Sequence, residues 1–381
     1  MSNDIFPSKL ALGDQFCNRV KERRELADKV SKVRHTVLVS PRRYGKSSLV
    51  YYVISELKLP FVSVDLFLAH DDKTVTKRIL EGISASLSQI LPASNQTIEK
   101  VKKIFSKFHA SLNLGLFQIE LMNENAEIDA VDQIYSALTA LESMAVQEKK
   151  KMIIFIDEFQ DIAVAQSARS IQGAIRHVAQ ASQQLMFIFS GSNRHLLETL
   201  FNDKSMPLYM LCDKIYLERM SSQDYQPHLQ KLAIKKWKKE LSEPVLQRIF
   251  SLTELHPFYV NLLCHKVWQD AYPTTSVVEA CWEACTQEEI RRIRAELEKL
   301  SRNQQTVMKA LALEPTTAPS GLAFSIKAGI AISSLHQAIK ALYDKDMVYE
   351  VKDQDPLVSF LQKGQVRVLD PLISYYLKKY S

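Results

Sequence analysis

The residues best suited to chemistry cluster in one run, Ser40-Pro41-Arg42-Arg43-Tyr44-Gly45-Lys46-Ser47-Ser48. It matches GxxxxGK[ST] with serine at the first glycine. In that pattern, loop N–H groups and the following helix N-terminus form a nest for phosphate oxygens. Gly45 supplies a backbone conformation closed to other residues. Lys46 reaches the β/γ-phosphates, and the Ser47 hydroxyl ligates Mg²⁺. Ser40 fits if its local φ is negative. A basic strand–helix turn is the plain alternative. Arg42 and Arg43 lie inside the loop, at positions that usually point outward.

A second signal is Ile153-Ile154-Phe155-Ile156-Asp157-Glu158, an apolar strand ending in paired acids. This is the Walker B pattern: Asp157 would hold Mg²⁺ through water, and Glu158 would polarise an attacking water. Gln160 and Asp161 read as the start of a loop and a helix cap. A further strand ends in Gly191-Ser192-Asn193-Arg194. A polar residue there can sense the γ-phosphate, and Arg194 can neutralise transition-state charge. A helix-start arginine paired with a surface acid is the alternative for Arg194. Arg176 reads as part of a solvated helix face.

These groups need strands and helices to hold them. Four apolar runs read as strands: 36–40, 61–66, 152–156 and 185–190. Helical spacing fills 46–57, 74–90, 128–147 and 167–181. Near-continuous apolar strands separated by helices predict an α/β fold with a parallel sheet buried on both faces. The alternating run 112–121 predicts an inserted hairpin or strand. From about 221 the chain turns helical, at 222–237, 242–252, 256–271 and 275–300. The charges interleaved through 288–296 suit an exposed helix. Beyond 302, three helices (303–313, 319–328, 333–344) precede β-like pieces at 347–351 and 365–369 and a helix at 371–380. That is the winged-helix order. The expected division is 1–220 for the ATPase-like core, 221–300 for a helical lid and 301–381 for the winged helix.

The chain has 381 residues, 46% hydrophobic and 24% charged, with a net charge of +6. This balance excludes whole-chain disorder. No run approaches the ~20 apolar residues of a membrane span, so no membrane partner is expected. Five cysteines without a CxxC pair indicate neither a disulfide framework nor a zinc site. The start lacks a secretory pattern, and a reduced, cytoplasmic protein fits. The histidines show no metal spacing. Only 9 glycines occur, which argues against glycine-rich architectures and suggests that each one kept is needed.

The charge of +6 permits nucleic-acid contact without demanding it. In the third winged-helix helix, Ser334, His336, Gln337 and Lys340 face outward if Leu335, Ile339 and Leu342 face the core. Such side chains can read base edges, but phosphate contacts dominate DNA affinity and cations are few here. Lys235-Lys236-Trp237-Lys238-Lys239 is the densest basic run. It reads either as a stacking patch or as a helix end with Trp237 tucked inward.

The whole chain resembles the archaeal and bacterial P-loop ATPases near the signal-transduction ATPases with numerous domains (STAND/MNS-like), a branch of the AAA+ superfamily. The resemblance rests on the loop, on Ile156-Asp157-Glu158-Phe159-Gln160, on Gly191-Ser192-Asn193-Arg194-His195 and on three further places. Phe16-Cys17-Asn18-Arg19-Val20-Lys21-Glu22 resembles the entry motif over the adenine, and Leu255-His256-Pro257-Phe258-Tyr259 the lid motif whose proline packs on the base. Asp370-Pro371-Leu372 resembles the close of the winged helix. Ser40 and Leu255 replace glycines of the family pattern. The resemblance implies ATP/ADP with Mg²⁺, and sites at Phe16, Arg19, residues 40–48 and Pro257. It implies hydrolysis by Lys46, Glu158 and Arg194, at a rate the two missing glycines leave open. It also implies a nucleotide-dependent switch with a protein partner. An ATP-dependent DNA-binding protein of the origin-binding or transposition-helper kind is the alternative. Monomer and homo-oligomer both remain open.

Overall fold

The apolar runs of the first half form the strands of one sheet. The computed structural model describes residues 5–7, 10–17, 19–91, 110–113, 118–121, 129–269 and 271–380. In chain order the first strands are β1 (Thr36–Val39), β2 (Phe61–Asp65), β3 (Ala110–Asn113), β4 (Gln118–Leu121), β5 (Met152–Asp157), β6 (Leu185–Gly191) and β7 (Asp213–Tyr216). Five of them pair in the order β2-β5-β6-β1-β7, all parallel. Strands β3 and β4 form a separate antiparallel pair that begins two residues before the run 112–121 expected as a hairpin or strand. Residues 114–117, which would join them, lie outside the described residues.

Every residue of β1 and β6 is buried. Strands covered on both faces read as continuous apolar runs, which is why these two are visible in the sequence. Strand β7 buries one residue fully, Ile215, and sits at the sheet edge. The helices of this region are α1 (Val20–Ser31), α2 (Lys46–Leu57), α3 (Asp72–Ile90), α4 (Ala130–Gln147), α5 (Ala168–Ala181) and α6 (Arg194–Asn202).

Parallel strands bring their carboxyl ends to one edge of the sheet, where open α/β sheets bind ligands. Strand β6 lies between β1 and β5, with Val39 opposite Gly191 and Ile156 opposite Phe189. The candidate phosphate loop after β1, the acids closing β5 and the polar tip of β6 therefore share that edge.

The chain divides into two compact units. The sheet unit holds Val20–Arg42 and Lys46–Leu217; the helical unit holds Met1–Arg19, Arg43–Gly45 and Glu218–Ser381. The segments expected as lid and winged helix thus fall in one unit, together with the tip of the phosphate loop. Its elements are α7 (Ser222–Trp237), α8 (Glu243–Thr253), α9 (Pro257–Val267), α10 (Thr275–Glu288), α11 (Ile290–Glu298), α12 (Arg302–Leu313), α13 (Leu322–Ala328), α14 (Ile332–Asp344), β8 (Val348–Glu350), β9 (Val366–Val368) and α15 (Pro371–Tyr380). Helices α12 to α14 followed by the antiparallel β8–β9 pair reproduce the expected element order.

One expectation is corrected here. The helix foreseen over 275–300 is two helices that meet at Glu289. The second is not simply an exposed charged helix: Ile293 is buried, and Arg292 bonds Glu289, Glu296 and Asp370. Among the described residues no single helix is long and apolar enough to cross a membrane.

Candidate active site

Ser47 is the second residue of α2, and Asp157 is the last of β5. The Ser47 hydroxyl donates to Asp157 Oδ2 at 2.5 Å. The Ser190 hydroxyl and the Glu158 N–H donate to Oδ1. A hydroxyl and a carboxylate side by side are hard oxygen donors. Mg²⁺ characteristically takes one or two carboxylates beside water and substrate phosphate, and this pair fits it. Among the described residues, no group of three or more His, Cys, Asp or Glu side chains could hold a metal ion.

Lys46 opens α2 with its side chain buried. Its ammonium donates to Pro41 O at 3.0 Å and to Ser40 O at 3.3 Å, so it lies beneath the loop. Gly45 has φ +84°, the left-handed conformation for which the motif keeps a glycine. Ser40 is not among the residues with positive φ. A side chain is therefore tolerated at the missing glycine, and its hydroxyl donates to Pro41 O at 3.1 Å. Ser48 is buried, while Arg42 is exposed with its guanidinium over the Phe67 ring, 5.9 Å from the centroid.

Glu158 leaves β5 at φ +50°. Its Oε2 accepts from the Ser192 hydroxyl at 2.7 Å, the Ser192 N–H at 3.0 Å and Gln160 Nε2 at 2.7 Å. Burial pushes the Glu158 pKa up. The Ser192 and Gln160 hydrogen bonds and the Lys46 charge outweigh that and hold it below its ordinary value.

At the tip of β6, Asn193 is engaged as the cap of α6, accepting from Leu196 N–H at 3.0 Å. Ser192 is therefore the tip residue that reaches Glu158, while Ser190 reaches Asp157. Arg194 is the first residue of α6 and half-buried. Arg176 departs from the solvated-face reading, because its guanidinium donates to Pro207 O and Tyr209 O. Gln160 departs most. It is buried against Glu158 rather than starting an open loop.

In the helical unit, Tyr44 is buried with its ring edge toward His256, centroids 4.8 Å apart. Arg43, at φ +67°, places its guanidinium 4.2 Å from the Phe258 ring centroid. Arg19 donates to Tyr44 O at 2.9 Å and Glu218 O at 3.0 Å. Phe16 closes the short turn Gly13–Gln15, and Pro257 is the first residue of α9. Burial, then the charges of Arg219 and Arg43, depress the His256 pKa, so the ring is neutral. Its Nδ1 caps α9, accepting from Phe258 N–H.

Beside that turn lies a buried charge cluster that the spacing of the sequence does not reveal. Glu254 is flanked by Arg219 at 3.0 Å and Arg367 at 2.9 Å, and accepts from the Tyr349 hydroxyl at 3.0 Å. The members come from four separate places in the chain. Trp237 is half-buried, its ring centroid 4.9 Å from that of Trp268. In α14, Leu335, Ile339 and Leu342 are buried, while His336, Gln337 and Lys340 are exposed.

No protein-family model matches the chain, and no curated protein matches it. Solved structures do. A Walker-type ATPase of Pyrococcus abyssi aligns at 17% identity and TM-score 0.66, over 98% of this chain and 99% of that one. The Aeropyrum pernix ORC2 protein in its ADPNP–ADP complexes aligns at 13% identity and TM-score 0.60, over 98% and 95%. Its ADP form aligns at 12% and 0.52, over the same shares. The chain has the α/β fold of the P-loop NTPases, with a five-stranded parallel sheet. At these identities the likeness speaks for the fold alone.

Proposed function

We propose that the protein is an Mg²⁺-dependent ATPase that works as a nucleotide-driven switch on a partner. The observation that carries this is the meeting of Ser47, Asp157 and Glu158 at one sheet edge, with Lys46 buried beneath the adjoining loop. Residues 40–48 would cradle the phosphates through backbone N–H groups. Ser47 and Asp157 would hold Mg²⁺, which when bound neutralises charge on the β- and γ-oxygens. Glu158 orients the attacking water. The water oxygen bonds to the γ-phosphorus as the bond to the β–γ bridging oxygen breaks, its electron pair leaving on ADP. Glu158 takes the water's proton. Arg194 is the candidate for neutralising charge that develops in transit.

The test is Glu158→Gln. It should bind a fluorescent ATP analogue as the wild type does, while phosphate release falls about 100-fold or more, the range for losing a general base. Wild-type phosphate release by the variant would remove Glu158 from this role. The ATP-loaded variant should also differ from the ADP form in oligomer size or in what it holds.

The exposed His336, Gln337 and Lys340 of α14 favour a second reading: ATP-dependent DNA binding. Duplex binding that weakens with salt and strengthens with ATP supports it. No duplex binding at low salt rejects it.

A further inference from the structure

Gln160 is the second residue of the short 3-10 helix Phe159–Val164 that follows β5, and it is 5% exposed. Its Nε2 donates to Glu158 Oε2 at 2.7 Å and to Asp161 Oδ1 at 2.9 Å. Ionised carboxylate oxygens only accept, so the amide nitrogen must be the group facing them. Asp161 is itself fixed, accepting Leu68 N–H at 3.1 Å through its other oxygen.

The opposite end of the amide is less comfortable. Gln160 Oε1 is buried and accepts no hydrogen bond among the described residues. A buried acceptor left so carries the cost of its lost hydration. The fold tolerates that cost while aiming the N–H group at Glu158. It also makes room for it. A Cβ on Gly191 would stand 1.9 Å from Gln160 Oε1, whereas its next neighbour outside Gln160, Leu197, is at an ordinary 3.5 Å. Gly191 is not among the positive-φ glycines. The backbone does not require glycine there; the Gln160 amide does.

Glu158 is held in a left-handed conformation that non-glycine residues adopt only when their surroundings enforce it. Its three hydrogen bonds, two from Ser192 and one from Gln160, all fall on Oε2. Among the described residues Oε1 accepts no hydrogen bond.

We propose that Gln160 is a positioning residue for hydrolysis: it pins Oε2 so that Glu158 presents Oε1 to the attacking water, and Gly191 is kept to let it do so. This rests on the ATPase reading above. Gln160→Met fills the same slot without an N–H donor. It should lower kcat about 10- to 100-fold, the scale of a small misplacement of a reacting group. KM for Mg·ATP should stay within about 3-fold, because binding common to ground and transition states is untouched. Affinity for ADP with aluminium fluoride should fall while affinity for ADP alone holds. Gly191→Ala should reproduce the kcat loss, and should add nothing in a Gln160→Ala background, where its methyl meets no amide. If Gln160→Met fails to fold, as thermal unfolding would show, the Gly191→Ala pair carries the test alone. A folded Gln160→Met with unchanged or raised kcat, or additive losses in the Gly191→Ala, Gln160→Ala pair, overturns the proposal. Wild-type protein with no ATP turnover overturns the ATPase reading and this inference together. Wild-type turnover with Gln160→Met unaltered overturns this inference only.

Discussion

The Ser47 hydroxyl donates to Asp157 Oδ2 at 2.5 Å across 110 positions of chain. The end of β5 and the start of α2 are thereby set so that both oxygens can face one cation. Removing the hydroxyl takes away one hard donor and leaves the carboxylate. Loss of even an outer partner typically weakens a metal site 10- to 100-fold. Ser47→Ala should therefore raise the Mg²⁺ concentration for half-maximal turnover by about 10-fold or more, and Ser47→Thr should not. Chelating the metal should stop turnover in both. A Ser47→Ala protein with a wild-type Mg²⁺ titration would show that this oxygen holds no metal.

Lys46 lies beneath the loop with its ammonium on the Pro41 and Ser40 carbonyls. A nucleotide phosphate at the loop would add a charge-assisted hydrogen bond to those the ammonium makes there. A hydrogen bond to a charged group contributes about 1.5–3 kcal/mol, or roughly 10- to 150-fold in affinity. Lys46→Ala should lose at least that much affinity for a fluorescent ATP analogue. Binding as tight as wild type would place the nucleotide elsewhere.

The legible parts of the fold are those where one local signal decides. β1 and β6 are buried on both faces, so their apolar runs declare them. β7 carries Asp213-Lys214-Ile215-Tyr216 at the sheet edge, where a single fully buried residue leaves no pattern. The phosphate loop is visible because its chemistry is contiguous. Gln160 is not: its meaning depends on Gly191 and Ser192, which the register of β6 brings beside the end of β5. Glu254 is invisible for the same reason, since Arg219, Tyr349 and Arg367 meet it only after the helical unit folds.

Glu254 gives a stability prediction with a definite sign. Burial raises its pKa, but Arg367 and Arg219 outweigh this and hold it below its ordinary value. The folded state thus favours the ionised carboxylate more than the unfolded chain does. That contribution is present above about pH 4.3, the unfolded value, and fades as pH falls through the lower folded value. Glu254→Ala leaves two buried arginines uncompensated and should cost about 3–5 kcal/mol near neutrality. Its stability should fall less than that of wild type on acidification from pH 5 to pH 3. Denaturant melts at several pH values measure both. Equal acid sensitivity of the two proteins would remove Glu254 from the linkage.

Leu255 stands where the pattern of the resembled family has glycine, and its φ is +60°, directly after Glu254 at +47°. Two adjacent left-handed residues without glycine carry strain of about 1–3 kcal/mol each. Yet Leu255 is 2% exposed and belongs to the hydrophobic core of the helical unit. Truncating a buried leucine costs about 2–5 kcal/mol, and glycine adds unfolded-state entropy of about 0.5–1 kcal/mol. Burial and entropy together exceed the strain relieved. Leu255→Gly should therefore destabilise by about 1–3 kcal/mol on balance, despite restoring the pattern. A rise in melting temperature would mean that relief of backbone strain outweighs the lost burial at this turn.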